Sequence, residues 1–344
     1  VDNNLAWEKK KTYNVGIDLA LFRNRLEFTA EWYKNTSEDL LYAVPVPEQA
    51  GVSNTTVTMN AASMNNSGFE FSATYRNRDH DFKYEVSANL STLRNRVTSL
   101  GFGTDSYISG SYITKVGQEI GQFYGWVYEG IARTQEDLDN HATQEGAQIG
   151  DCLYKDVNND GKVDSEDQVV LGSGMPKINF GLNARFEYKR FDLSIATFGA
   201  LNYHVSDDIY NSLNSCYGWG NKEVGMLEAN RFSEDGSTYL SNVPRTYVTN
   251  SASLGWNDLF SSRKIQNAAY WKIANVELGY NFPDKWFGKY VSDVRFYVSA
   301  QNLHTFTGYH GYNVDYAGGT FTPGYNFCSY PTARTFMCGV HFTF

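Results

Sequence analysis

"KINFGLNARFEYKRFDLSIATFG", running from Lys177 to Gly199, decides how this chain folds. Ile178, Phe180, Leu182, Ala184, Phe186 and Tyr188 alternate with Asn179, Gly181, Asn183, Arg185 and Glu187. Alternation sustained over that length marks a β-strand with one apolar and one polar face. Only Lys189 and Arg190 separate it from Phe191, where a second alternating stretch begins. Two such strands joined by two residues predict an antiparallel hairpin.

The same pattern recurs on both sides of that hairpin. Upstream, Tyr13, Val15, Ile17, Leu19 and Leu21 form one row, and Leu26, Phe28, Ala30 and Trp32 form the next. Two more rows follow in Phe69, Phe71, Ala73, Tyr75 and in Phe82, Tyr84, Val86, Ala88, Leu90. Downstream, Ala274, Val276, Leu278 and Tyr280 precede Phe296, Val298 and Ala300, and the chain ends on Phe336, Cys338, Val340, Phe342 and Phe344. The expectation is about nine strands of roughly ten residues, the length a tilted strand needs to cross a bilayer.

Connection lengths alternate as well. Short turns stand at Phe22–Arg25, Arg76–Asp81 and Lys189–Arg190, with a longer one across 281–293. Between them lie long segments near 37–66, 95–176, 204–264 and 304–332. An outer-membrane barrel has this asymmetry, with short turns on the periplasmic side and long loops outside. The predicted fold is therefore all-β, a transmembrane antiparallel β-barrel. Leu26, Tyr75, Phe82, Tyr188, Phe191, Tyr280, Phe282 and Phe344 fall at its lower rim, and all but Leu26 are aromatic, as an interfacial girdle requires. An odd strand count does not close a bacterial barrel. The reading is the carboxy-terminal portion of a larger barrel, and "VDNNLAWEKKKTYNVGIDL" at Val1–Leu19 reads as the approach to a strand rather than a protein start.

Composition agrees. The chain has 344 residues, 25 Tyr, 22 Phe and only 7 Pro. A net charge of −9 excludes nucleic acid as a partner, because that recognition needs a basic face. Cys152, Cys216, Cys328 and Cys338 have no zinc-ligand spacing.

"DVNNDGKVDSED", Asp156–Asp167, is the one metal motif. Asp156, Asn158 and Asp160 occupy positions one, three and five of an EF-hand-like loop, with Gly161 at the sharp turn. Lys162 would offer its carbonyl at seven, Asp164 stands at nine and Asp167 at twelve. A hard cation needs this run of oxygens, so the expected cofactor is a structural Ca2+ in an exposed loop. Asp167 replaces the bidentate Glu of EF-hands, which predicts weaker binding.

"GDCLYKDVNNDGKVDSEDQVVLGSGMPKINFGLNARFEYKRFDLSI", "NNSGFEFSATYR", "AAYWKIANVELGYNFP", "VRFYVSAQNLHTFTGYHGYNVD" and "YPTARTFMCGVHFTF" resemble stretches of SusC-like TonB-dependent transporters of Bacteroidetes. The resemblance implies the last nine strands of a barrel of about 22 strands, preceded by further strands and a plug. It also implies a SusD-like surface lipoprotein as partner, the TonB complex acting through a missing upstream segment, and import of oligosaccharides or peptides. No enzyme activity is expected. Inward Asp18, Glu27, Glu31, Glu70, Glu85 and Glu187 suit a polar lumen without invoking catalysis. Loop aromatics Tyr217, Trp219, Tyr309, Tyr312 and Tyr325 are the candidate substrate contacts. The alternative reading is a calcium-stabilised, lectin-like surface-binding β-protein.

Overall fold

The computed structural model describes residues 5–45, 56–100, 104–216, 221–246, 252–283, 286, 291, 293–315 and 318–343. Nine strands form one continuous antiparallel sheet: Lys9–Leu21, Leu26–Pro45, Thr56–Asn77, Phe82–Thr92, Ile178–Tyr188, Phe191–Leu201, Tyr270–Asn281, Asp293–Thr307 and Thr335–Thr343. Each strand pairs with its predecessor and its successor in that order, and a further short strand, Arg94–Ser99, joins alongside the third. They are called the first to ninth strands below.

Register explains why this sheet forms. Side chains directly opposite in neighbouring antiparallel strands share a face. Tyr84, Phe186, Leu193, Leu278, Val298 and Cys338 make one unbroken row across the fourth to ninth strands. Val15, Trp32 and Phe69 make another across the first three. Within these rows apolar residues meet apolar neighbours, and a slip of one position would put charges among them.

No second sheet covers this face among the described residues. Val15 is 69% exposed and Val340 is 51% exposed. A patch running over nine strands far exceeds what a water-soluble surface leaves open. Along one end of the sheet the aromatic residues touch. Phe191 lies 4.9 Å from Tyr280, Tyr280 5.1 Å from Phe282, and Phe82 6.5 Å from Tyr188. Phe344, the remaining member of that expected rim, lies outside the described residues.

Tight turns sit at the aromatic end. Phe22, Arg23 and Asn24 all have positive φ, as does Lys189 in the two-residue turn before Phe191. Such backbone matches the right-handed twist of the strands it joins.

Two expectations change. The ladder of the second and third strands does not stop near Ser37 and Asn66; it continues to the pair Pro45 and Thr56, so most of the predicted 37–66 loop is hairpin. Alternation also breaks at Ala274, because a bulge displaces it where Ile273 pairs with His304 and Asn275 with Gln301. A bulge switches the faces of everything beyond it. Trp271 and Ile273 thus join the apolar face, and Lys272 turns to the polar one. His304 and Phe306 follow Trp271 outward, with Phe306 stacked 5.3 Å from it.

Candidate functional site

The polar face carries paired charges. Arg76 reaches both oxygens of Glu27, at 2.7 and 3.0 Å, and lies 3.4 Å from Glu85. Arg295 bonds Asp192 and, at 2.7 Å, Glu277. Gly279 lies beneath that cluster, where a Cβ would run into the Arg295 guanidinium and the Asp192 carboxylate. These pairs balance acid with base across the polar face.

At the opposite end from the tight turns, the long connections fold rather than hang. Residues 106–173 contain a four-stranded sheet, Ser106–Ser109, Tyr112–Lys115, Gln122–Gly125 and Val169–Ser173. Asp151 is buried and is held by the Arg245 guanidinium and, at 2.7 Å, by the Asn257 amide. Asn257 Oδ1 in turn accepts the Cys152 amide at 2.7 Å. These bonds join the connection before the fifth strand to the one after the sixth. A second buried knot links the connection after the sixth strand to the one after the eighth, where the Tyr309 hydroxyl donates to Asp207 and Asn326 Nδ2 bonds Tyr309 at 2.8 Å.

Cys152 and Cys216 are fully buried, and burial pushes their thiols up to about 12 and about 11. Neither is a nucleophile at neutral pH.

The acidic loop adopts successive side-chain-to-backbone turns. Asp156 accepts the amides of Asn159 at 2.6 Å and Gly161 at 2.8 Å. Asn158 takes the Asp160 amide, Asp160 that of Lys162, and Asp164 that of Glu166, all between 2.8 and 3.0 Å. Asp167 is buried, with Oδ1 on the Val157 amide and Oδ2 on the Asp164 amide, both at 2.8 Å. Gly161 turns at φ +89°. The oxygen donors suit a hard cation, but their convergence does not yet. Among the described residues no three His, Cys, Asp or Glu side chains gather around one point, and the Lys162 ammonium stands 2.6 Å from Asp164 and 3.6 Å from Asp160.

The candidate substrate contacts are dispersed. Tyr217 and Trp219 lie outside the described residues. Tyr309 is only 6% exposed and its hydroxyl is spent on Asp207, so burial corrects its role to that of a packing residue. Tyr312 is 65% exposed. Tyr325 is exposed, stacks 6.5 Å from Phe327, and its strand pairs in parallel with Ser206.

Residues outside the predicted substrate contacts line a cavity. It measures about 790 Å³ on the polar face beneath the folded connections, bounded by Asn66, Asn179, Phe198, Tyr203, Tyr270 and Asp315. Lys272 bonds Asp315 there and lies 5.8 Å from the Phe198 ring centre. The signal that could have found it is the lone Lys in "YWKIANVELGY", a charge inside an apolar strand.

Comparison with known proteins agrees with this geometry. Residues 1–325 match the family described as TonB dependent receptor-like, beta-barrel. TonB-dependent receptor P3 of Formosa agariphila is 31% identical over the whole chain, and TonB-dependent receptor SusC of Bacteroides thetaiotaomicron is 26% identical. The chain spans 35% and 32% of their lengths, about a third of the curated relatives it matches. The structure of the RagAB peptide transporter superposes with a TM-score of 0.81 at 22% identity, covering 100% of this chain and 36% of that one.

Proposed function

The chain belongs to the TonB-dependent receptor β-barrel family of the outer membrane, whose members are not enzymes, and from that premise we propose that it serves in SusC-like nutrient import. The cargo is an oligosaccharide or a peptide. A SusD-like surface lipoprotein acts as partner, and the TonB complex supplies energy through a segment outside this stretch. The observation that carries the proposal is the sheet itself, with an uncovered apolar face, a charge-paired polar face, and folded connections at one end only. The first and ninth strands are its two edges, and further strands of the same barrel would pair with them. The similarity to SusC and to the RagAB peptide transporter supports this kind of system. A soluble lectin-like protein is disfavoured, because it would leave Val15, Val298 and Val340 in water.

The test uses the full-length receptor, epitope-tagged in its native outer membrane. Heat-modifiable migration, co-purification of a surface lipoprotein, and uptake of labelled oligosaccharide or peptide that stops on TonB depletion are the expected results. Uptake that continues without TonB would overturn the proposal.

The acidic loop is part of this reading. Ca2+ held by Asp156, Asn158, Asp160, Asp164, Asp167 and the Lys162 carbonyl would displace the Lys162 ammonium and stiffen the connection. The support is the alternating oxygens and the Gly161 turn.

A further inference from the structure

A second cleft, of about 540 Å³, opens beside the acidic loop and is lined by Trp126, Glu145, Asp164, Ser165, Gly255 and Trp256. Its two indoles are held by their polar edges. Trp126 Nε1 donates to the Asp164 carbonyl at 3.0 Å, and Trp256 Nε1 donates to the Glu145 carbonyl at 2.9 Å. Both acceptors belong to residues of the cleft wall. Behind them the rings pack on the buried cluster of Cys152, Tyr154 and Val163, with Trp256 6.2 Å from Tyr154. Neither indole has a hydrogen bond left to give, so each offers only an apolar ring surface, already fixed in place.

The wall that holds those rings also contains Ser165, Glu145 and Asp164, residues whose side chains carry oxygen acceptors. Lys162 already answers the Asp164 charge at 2.6 Å, and Glu145 has no ion pair among the described residues. The cleft therefore combines rigid apolar surface with acceptors and one unpaired carboxylate. A flat ring with C–H groups on its faces and hydroxyl donors at its edge satisfies both. A cationic side chain would use the rings but find one of the two carboxylates already neutralised. The volume lies within the range of small-molecule sites. We propose that this cleft is a saccharide subsite that takes one pyranose unit of a neutral oligosaccharide. This site is separate from the lumenal cavity and does not rest on the import reading.

Gly255 makes the site testable. A Cβ built there meets nothing within 4 Å, so a larger side chain enters the cleft wall without disturbing packing. The full-length receptor in detergent would be titrated with maltose, cellobiose, laminaribiose and, separately, tri-lysine, with tryptophan fluorescence and calorimetry as readouts. The expected result is saturable binding of at least one disaccharide, weakened about tenfold or more in Gly255→Leu. Limited proteolysis of the connection would confirm that the variant is folded. Glu145→Gln, at an exposed position of the wall, is the second variant and should weaken binding several-fold. Three results would overturn the proposal: no disaccharide bound, disaccharide binding unchanged in both folded variants, or tri-lysine alone bound. Uptake by the receptor is scored independently of all three, so the two readings fall separately.

Discussion

Valine shows how differently two regions of this molecule are built. In the nine-stranded sheet Val15 and Val340 are 69% and 51% exposed, whereas in the folded connections Val97 and Val205 are 2% and 0% exposed. Charges reverse in the same way. The sheet spreads Glu27, Arg76 and Glu85 over an open polar face, while the connections enclose Asp151, Asp167 and Asp207 completely. One region is solvated by lipid on its apolar side and by water on the other. The second region is an ordinary water-soluble body with its apolar residues inside. Each is stable only in its own surroundings, so perturbations should separate them.

The largest separation is expected from Asp151→Ala. It leaves the Arg245 guanidinium and the Asn257 amide without their buried partner, and losing one member of such a group costs about 3–5 kcal/mol. Limited proteolysis should show the 106–246 region opening, with heat-modifiable migration of the barrel retained. Loss of both would mean that the sheet depends on the connections.

Val276→Arg tests the other region. Val276 lies on the apolar face two rows above the aromatic rim, between Ile195 and Ala300. A charge there should cost about 2–4 kcal/mol of folding in the membrane, and one near the interface only about 0–1 kcal/mol. Val340→Arg supplies the second case, because Val340 pairs with Phe296, which is level with Tyr280 in the rim. The folded fraction of each variant in outer-membrane preparations checks the gradient. Equal losses would show that the depth assignment is wrong.

Thiol chemistry gives a smaller difference. Burial raises the folded-state values of Cys152 and Cys216 to about 12 and about 11, above the ordinary thiol value. Their contribution to stability is complete below about pH 8.5 and is lost as pH rises toward the folded values. At pH 8 maleimide should label exposed Cys328 and spare the two buried thiols. Toward pH 10–11 the connections should loosen and label before the barrel unfolds. Rapid labelling of Cys152 at pH 8 would contradict its burial.

The sheet was legible because its signal is local. Alternation fixes the face of each residue within a few positions, so Phe186, Leu193 and Leu278 align without knowledge of the whole. The bulge at Ala274 was not legible, since two residues of the opposite strand, Asn302 and Leu303, absorb the shift. The connections hid more. Asp151 meets Arg245 across 94 residues and Asp207 meets Tyr309 across 102, and neither pair carries a spacing rule. Tyr309 looked like a ligand contact because aromatic residues in a long loop suggest exposure. The acidic loop lies between these cases. Its turns follow from short-range bonds to Asp156 and Asp167, whereas the position of Lys162 among the carboxylates depends on side-chain torsions.

That lysine makes the acidic loop the finest test of the two-region picture. Without an ion, Lys162 partly offsets the charge of Asp160 and Asp164, and its own proton is held more tightly because the Asp164 hydrogen bond favours the charged form. Ca2+ would take over that role with twice the charge and would also engage Asn158 and the Lys162 carbonyl. The gain is limited to a surface loop already ordered by backbone amides, so the effect should be modest and confined to the connections. Protease protection of residues 104–176 should rise with millimolar calcium, fall with chelator and recover on re-addition. Asp156→Ala with Asp160→Ala should abolish the calcium response, because Asp156 also anchors Gly161. Lys162→Ala should sharpen it by removing the competing ammonium. Barrel migration should stay constant throughout. Protection identical under all these conditions would eliminate the metal and leave a loop closed by its own amides.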